Sequence, residues 1–383
     1  MSNVYTQTNQ TQNQIINFRR GMDGRLMEVQ RVSTGGKGTN GYVPLTGEES
    51  GPDSLISSNA VIVSRDRKYL FAVNAGENSV SSFAIGMDGM LTLIDTQATG
   101  KPVMGRSGTA SSLAYNDRDS VLYVSHSLGP DHIRAFTVMG GKLTLRMDVK
   151  SVNLPDMSDR VITQIATSPD NQYLIACVLL DARPNADGLT PAKEKNLVLF
   201  PIGMGGFLGD ALFRNSGGVT PFATAFLNGK KDMFVTVLAA ESAAVLSTLA
   251  ANGNVKTTKP SKIDVGMSPE PSEICWVSIS EDDRFAFGAN FGYGTVSTFR
   301  IDDSGVMVKM STAAQEMGDG SFKGLAGVPS SGAGDNAVAG GFLFQLYANA
   351  SKLVGYKIGD DGRLTKVSEV PVPHNSTQGL AVA

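Results

Sequence analysis

The amino-acid sequence predicts an all-β chain folded as a seven-bladed β-propeller, and three observations predict it. One strand–turn–strand pattern recurs seven times, a further apolar run precedes each clear copy, and the first copy lacks its run while the C-terminus carries a spare one. Together they describe four-stranded units closed into a ring, with residues 1–383 forming one domain.

The clearest copy is Leu70–Gly76, then Ser79–Ile85, then Asp88-Gly89-Met90-Leu91-Thr92-Leu93. Its counterpart late in the chain is Phe285–Asn290, Thr295–Ile301 and Ser304-Gly305-Val306-Met307. Runs of this length, rich in β-branched and aromatic residues and bounded by Asn and Gly, read as strands and turns. Looser copies pair Val4–Asn9 with Gln14–Phe18, Leu122–His126 with His132–Val138, and Tyr173–Val178 with Asn196–Ile202. Met233–Leu238 pairs with Ala244–Leu249, and Phe342–Asn349 with Leu353–Ile358. The turn glycines at 24, 89, 141, 206, 253, 305 and 362 are 47 to 65 residues apart, which leaves room for four strands and their connections.

The preceding runs, among them Ala60–Val63, Val161–Ala166 and Ile274–Ile279, are continuously apolar, as an innermost strand covered on both faces requires. Each leads into a short polar hairpin: Ser64–Lys68, Ser168–Gln172 or Ser280–Arg284. Asp, Asn and Pro suit such hairpins because they accept or pre-set tight-turn angles. At the N-terminus Val4 opens directly on a second strand, and Gln378–Ala383 reads as an innermost strand with no unit after it. Pairing the two completes a blade and leaves no free edge at the join. Strand direction then puts the short hairpins on a lower face. The long connections Ser33–Ser57, Thr99–Ala110, Leu179–Lys195, Lys259–Pro271, Thr312–Gly324 and Pro371–Thr377 all fall on the upper face. Long connections of this kind commonly carry function, so a pocket over the central channel on that face is the expected site.

Composition excludes several classes. A net charge of -3 gives no electrostatic footprint for nucleic acid or an anionic membrane. No stretch approaches the ~18 apolar residues of a membrane span. Met1–Gln14 is polar without an apolar segment, so a cytoplasmic location is expected, or a secreted or periplasmic one if a leader is removed. Cys177 and Cys275 sit inside apolar runs and read as buried thiols rather than a disulfide or metal pair. Gly36–Gly41 matches G-x-G-x-x-G but lies in no βαβ unit, so it carries no dinucleotide site. No metal motif is present, and neither metal nor organic cofactor is expected.

Ala60–Leu93 and Cys275–Ile301, with the Asp-Gly-Arg-Leu turns at Asp23–Leu26 and Asp361–Leu364, resemble the lactonase-family propellers. That family includes the propeller-type phosphogluconolactonase and the fungal carboxymuconate cyclase, and the resemblance runs blade by blade over nearly the whole chain. It implies a metal-independent lactone hydrolase or cycloisomerase acting on a small sugar lactone or a muconate-type organic acid. The alternative is a non-catalytic propeller that binds a small ligand or a protein partner. In the bacterial phosphogluconolactonase, His and Arg line the upper mouth in Pro-Arg-His and Pro-His-Phe contexts. Here the matching strand openings are Pro271–Trp276 and Thr220-Pro221-Phe222, which contain neither, and a phosphate clamp of Arg and His is not expected.

Ring opening by water needs a base and donors for the developing oxyanion. Glu273 heads an innermost strand on the upper side and is the first candidate base. His126 replaces the Asn that ends other second strands (Asn9, Asn74, Asn290, Asn349), and His374 lies in the last upper connection; either imidazole suits proton transfer. Arg106 and Arg160 precede innermost strands and are candidates for a substrate carboxylate or phosphate. Gln164 and Gln378, within innermost strands, and Asn74 and Asn290, at upper turns, are candidate hydrogen-bonding residues. His132 reads as exposed, and Lys195 closes a connection long enough to act as a lid. Each has a structural alternative: a salt-bridged Glu, solvent-facing turn residues, solvated arginines, and amides tied to channel water.

Overall fold

The computed structural model describes residues 2–100, 108–156, 159–182, 189–263, 271–302, 305–308 and 314–383. These residues form seven antiparallel sheets, each with a path of four strands, set around a common hub. Blade 2 shows the plan: Val61–Val63 innermost, then Tyr69–Asn74, Ser79–Ile85 and Leu91–Ala98 outermost. Blades 3 to 7 begin with the innermost strands Ala110–Asn116, Val161–Thr167, Pro221–Phe226, Ile274–Ile279 and Ala333–Ala339. Blade 1 takes Asn3–Gln7, Gln14–Arg20 and Leu26–Ser33 from the N-terminus and its innermost strand, Gln378–Val382, from the C-terminus. The closing register sets Val4 opposite Val382 and Thr6 opposite Leu380, and the amides and carbonyls of Asn3 and Ala383 bond in both directions at 3.0 Å.

The hairpins below the hub share one side-chain device. Ser64, Ser168 and Ser280 each donate to the Asp two residues on (Asp66, Asp170, Asp282) at 2.6–2.7 Å, and each hydroxyl accepts the amide that restarts the chain, from Tyr69, Tyr173 or Phe285. Short polar side chains that bond their own backbone make these turns local products of sequence. The third-to-fourth-strand turns are equally local, with Asp88 and Asp361 accepting the amides of Met90 and Arg363. Gly362, at φ 82°, also lies where a Cβ would strike the Phe285 ring of the blade before it, so that turn needs glycine twice over.

Apolar side chains fill the wedges between blades: Phe71, Leu122 and Phe136 between blades 2 and 3, and Phe287, Leu343 and Tyr347 between blades 6 and 7, all fully buried. Burial on both faces is why the inner strands show no polar alternation.

The first long connection, Ser33–Ser57, does not stay on the upper face. Residues 34–51 remain on the face, and Pro52–Asn59 turns down into the hub. Gln378 Nε2 donates to Pro52 O (3.1 Å), Trp276 Nε1 to Ser57 O (3.0 Å), and Ser57 Oγ to Ser111 O (2.8 Å). Ser58 N bonds Thr163 O (2.9 Å), and Asn59 Nδ2 donates to Ile165 O (3.1 Å). The segment is thus tied to the innermost strands of blades 1, 3, 4 and 6. It plugs the channel, which the sequence represents only as the tail of a polar connection.

Candidate active site

Above this plug lies a cavity of about 660 Å³ whose walls come from blades 4, 5 and 6, the plug, and the connections 34–51 and 321–325. Its size is that of a small-molecule site. One wall is an unbroken aromatic series. Phe222 meets Trp276 at a tilt with ring centroids 4.8 Å apart, Trp276 meets Phe291 at 5.8 Å, and Phe291 meets Phe322 at 4.8 Å. Phe222, Phe291 and Phe322 line the cavity with Val43, Ile56 and Leu179.

Glu273 lies on this wall, half-buried. Its Oε2 accepts the amide of Leu325 at 2.8 Å. A Cβ on either Gly292 or Gly324 would collide with that oxygen, so two glycines make room for the carboxylate. Burial raises the Glu273 carboxyl above its ordinary range, and the Leu325 amide opposes part of the rise.

The backbone at Glu273 is as informative as its side chain. The residue leading into an innermost strand adopts a left-handed conformation in several blades: Asn59 (φ 66°), Asp159 (φ 55°), Thr220 (φ 55°), Glu273 (φ 54°) and Gly332 (φ 63°). The chain needs this kink because the innermost strands start with a bulge, as between Pro221 and Ala223 and between Ile274 and Trp276. Gly and Asn accept such angles readily, whereas other residues lose roughly 1–2 kcal/mol. The two that suit it least, Thr220 and Glu273, both line the cavity. Backbone strain held at one site is a pointer to function.

A second carboxyl group faces the cavity from the plug. Asp53 is buried, and its carboxyl is raised well above the ordinary range by burial and then by nearby Asp335, against the amides of Ser57 and Ile56. Asp335, on the innermost strand of blade 7, is pushed up to about 7 by burial. Its Oδ2 accepts the Gly379 amide at 2.9 Å. Neither aspartate stands out in the sequence. The available signal was Leu55-Ile56 beside Asp53, an apolar pair at the end of the connection.

The other residues singled out from the sequence lie elsewhere. Gln164 and Gln378 do face the hub, where they tie protein to protein: Gln164 Oε1 accepts Thr224 N (2.6 Å) and its Nε2 donates to Thr224 O (3.2 Å), while Gln378 holds the plug. Asn74 Nδ2 donates to Ser79 and Ser81 at 3.0 and 2.8 Å, and Asn290 Nδ2 to Thr295 and Ser297 at 3.0 and 2.9 Å. These are matched internal corners, and neither lines the cavity.

His126 is buried between blades 2 and 3, with Nε2 2.9 Å from Thr99 Oγ1. Burial, then the nearby Arg134 charge, lowers it to about 4, so it is a neutral imidazole remote from the cavity wall. Arg160 is not solvated but fully buried: Nε donates to Asp181 (2.8 Å) and Nη1 to Val152 O (3.1 Å). His132 likewise is buried rather than exposed, with Nε2 2.7 Å from Arg160 O. His374 is exposed on the upper face, with Nδ1 3.0 Å from Ser351 Oγ and Nε2 3.4 Å from Asp319. Arg106 lies outside the described residues.

Residues 4–107 match the family described as "Lactonase, 7-bladed beta-propeller". No curated protein matches the chain. Among solved structures, the periplasmic gluconolactonase of Pseudomonas aeruginosa is similar over 100% of this chain and 99% of its own, with TM-score 0.67 and 17% identity. A Lactobacillus plantarum protein is similar over 100% and 99%, with TM-score 0.69 and 14% identity. A Bacteroides fragilis protein described as a candidate 6-phosphogluconolactonase is similar over 100% and 98%, with TM-score 0.63 and 16% identity. At such identities the structural likeness speaks for the fold. With seven sheets closing the ring, the chain is a seven-bladed β-propeller whose residues 4–107 match the lactonase-propeller family.

Proposed function

We propose that the chain hydrolyses a small lactone in the upper-face cavity, with Glu273 as general base and Asp53 as general acid. The observation that carries the reading is a pair of carboxyl groups on the wall of one largely apolar cavity, one of them on a strained backbone. Burial raises both carboxyl groups, and at Asp53 the neighbouring Asp335 adds to the rise, so environment favours Glu273 as the base and Asp53 as the proton donor. In the step we envisage, Glu273 takes a proton from water as the water oxygen adds to the lactone carbonyl carbon. The ring C–O bond then breaks, and its oxygen takes the proton from Asp53. The product is the open hydroxy acid, and proton exchange with solvent restores both carboxyl groups. Asp335, packed behind Asp53, positions it by opposing its ionisation.

The apolar walls and the lack of histidine among the described lining residues equally favour a site that only binds a small molecule. A lactone panel followed by acid release separates the readings. Hydrolysis should appear in the native chain, and Glu273→Gln should lower it about 100-fold or more, as loss of a general base does. Saturable ligand binding without acid release on any member of the panel would leave the binding reading standing and this one refuted.

A further inference from the structure

We infer that the ligand of this cavity is an uncharged lactone with an apolar body, such as an alkyl-substituted ring, rather than a phosphorylated or carboxylated sugar derivative. The inference rests on the reading of the cavity as the lactone site and narrows it. Among the described lining residues the acidic and basic side chains are Glu48, Asp53, Glu273 and a single cation, Lys323. Lys323 and Glu48 are exposed at the rim, whereas both carboxyl groups of the inner wall are acidic. An anionic ligand would therefore bring its charge toward Glu273 with no buried cation among the described lining residues to receive it, which is repulsive at short range and little screened there. Arg160, the buried arginine that could have answered a phosphate, is committed to Asp181.

Hydroxyl groups fare little better. The Thr220 hydroxyl donates to Val219 O and accepts the Ala240 amide. The Ser321 hydroxyl donates to Asp319 and accepts from Asn349. A polyhydroxylated ring would leave water for walls where the Thr220 and Ser321 hydroxyls are already engaged and Thr46, the other described hydroxyl of the lining, is exposed, and polar groups buried without partners are costly. Against this stands the Phe222–Trp276–Phe291–Phe322 series, with Val43, Ile56 and Leu179 completing an apolar lining suited to a hydrocarbon substituent. The lactone ring would then sit at the acidic end and its substituent along the aromatics.

Trp276 makes this testable without turnover. It is the chain's one tryptophan, it is buried, and its ring touches two cavity-lining phenylalanines. The full-length chain is titrated with δ-decalactone and separately with 6-phosphogluconate while Trp276 fluorescence is followed, and Phe291→Leu serves as the wall control. The expected result is a saturable change with the neutral lactone at about tenfold lower concentration or less than with the phosphorylated acid, a gap of about 1.4 kcal/mol, and a weaker response in Phe291→Leu. A response led by 6-phosphogluconate, or none to δ-decalactone, overturns the inference. Acid release from δ-decalactone is measured in parallel. Binding without release counts against the hydrolytic reading alone. Release from a phosphorylated sugar lactone but not from δ-decalactone counts against the substrate class alone.

Discussion

Blades 2 and 6 are close copies at their outer corners and part company where their innermost strands begin. Asn74 with Ser79 and Ser81, and Asn290 with Thr295 and Ser297, make the same buried fork. Ser64–Asp66 and Ser280–Asp282 make the same lower hairpin. At the lead-in residue blade 2 has Asn59, which tolerates a left-handed backbone and bonds Ile165 O. Blade 6 has Glu273, which does not favour that backbone and turns its carboxylate to a cavity. The difference teaches that a repeat shows its function where it departs from what the local backbone prefers, not merely where a residue type changes. His126 also breaks the pattern, replacing a corner Asn, yet it is buried against Thr99 and is not among the described residues lining the upper-face cavity.

The largest expected effect comes from making blade 6 resemble blade 2. Glu273→Asn should lower turnover about 100-fold or more. Its melting temperature should hold or rise, since the left-handed cost of roughly 1 kcal/mol is relieved; steady-state rates and thermal melts check both. Next come the corners both blades share. Asn74→Ala and Asn290→Ala should each lose about 1–3 kcal/mol in denaturant unfolding, because buried hydroxyls are stripped of a donor. The losses should be similar in the two blades, with turnover per folded molecule retained.

The hub gives a smaller, pH-dependent signal. Asp335 is held near 7 in the folded chain against an ordinary 3.8, so the folded state keeps a proton that the unfolded chain releases. Its contribution to stability therefore declines as pH rises between those values. Asp335→Asn should gain in melting temperature relative to the native chain over that window. His126 and His132, lowered to about 4 from 6.5, act oppositely: stability should fall as pH drops from 6.5 toward 4. The smallest effect is expected at Thr220→Asn, where a better left-handed residue should add up to about 1 kcal/mol, offset by the lost Ala240 contact.

Much of the ring was legible because its turns are local. Each Ser-x-Asp hairpin and Asp-Gly turn bonds within a few residues of itself, and the spare strand at the C-terminus answers a missing one at the N-terminus. Glu273 was legible as the head of an inner strand. What stayed hidden depends on partners distant in sequence. Arg160 reads as a surface residue until Asp181 closes on it, and His132 until Arg160 O reaches it. Asp53 and the plug were hidden because the apolar pair Leu55-Ile56 hints at burial but does not say that strands from blades 1, 3, 4 and 6 will bond to Pro52–Asn59.

The most direct test of Glu273 as the base is the pH profile of kcat/KM on a lactone that the chain opens. Since the base must be ionised, the rate should climb with pH through a midpoint above the ordinary glutamate value of 4.5, and that limb should vanish in Glu273→Gln. A rising limb that survives the substitution unchanged would contradict the assignment.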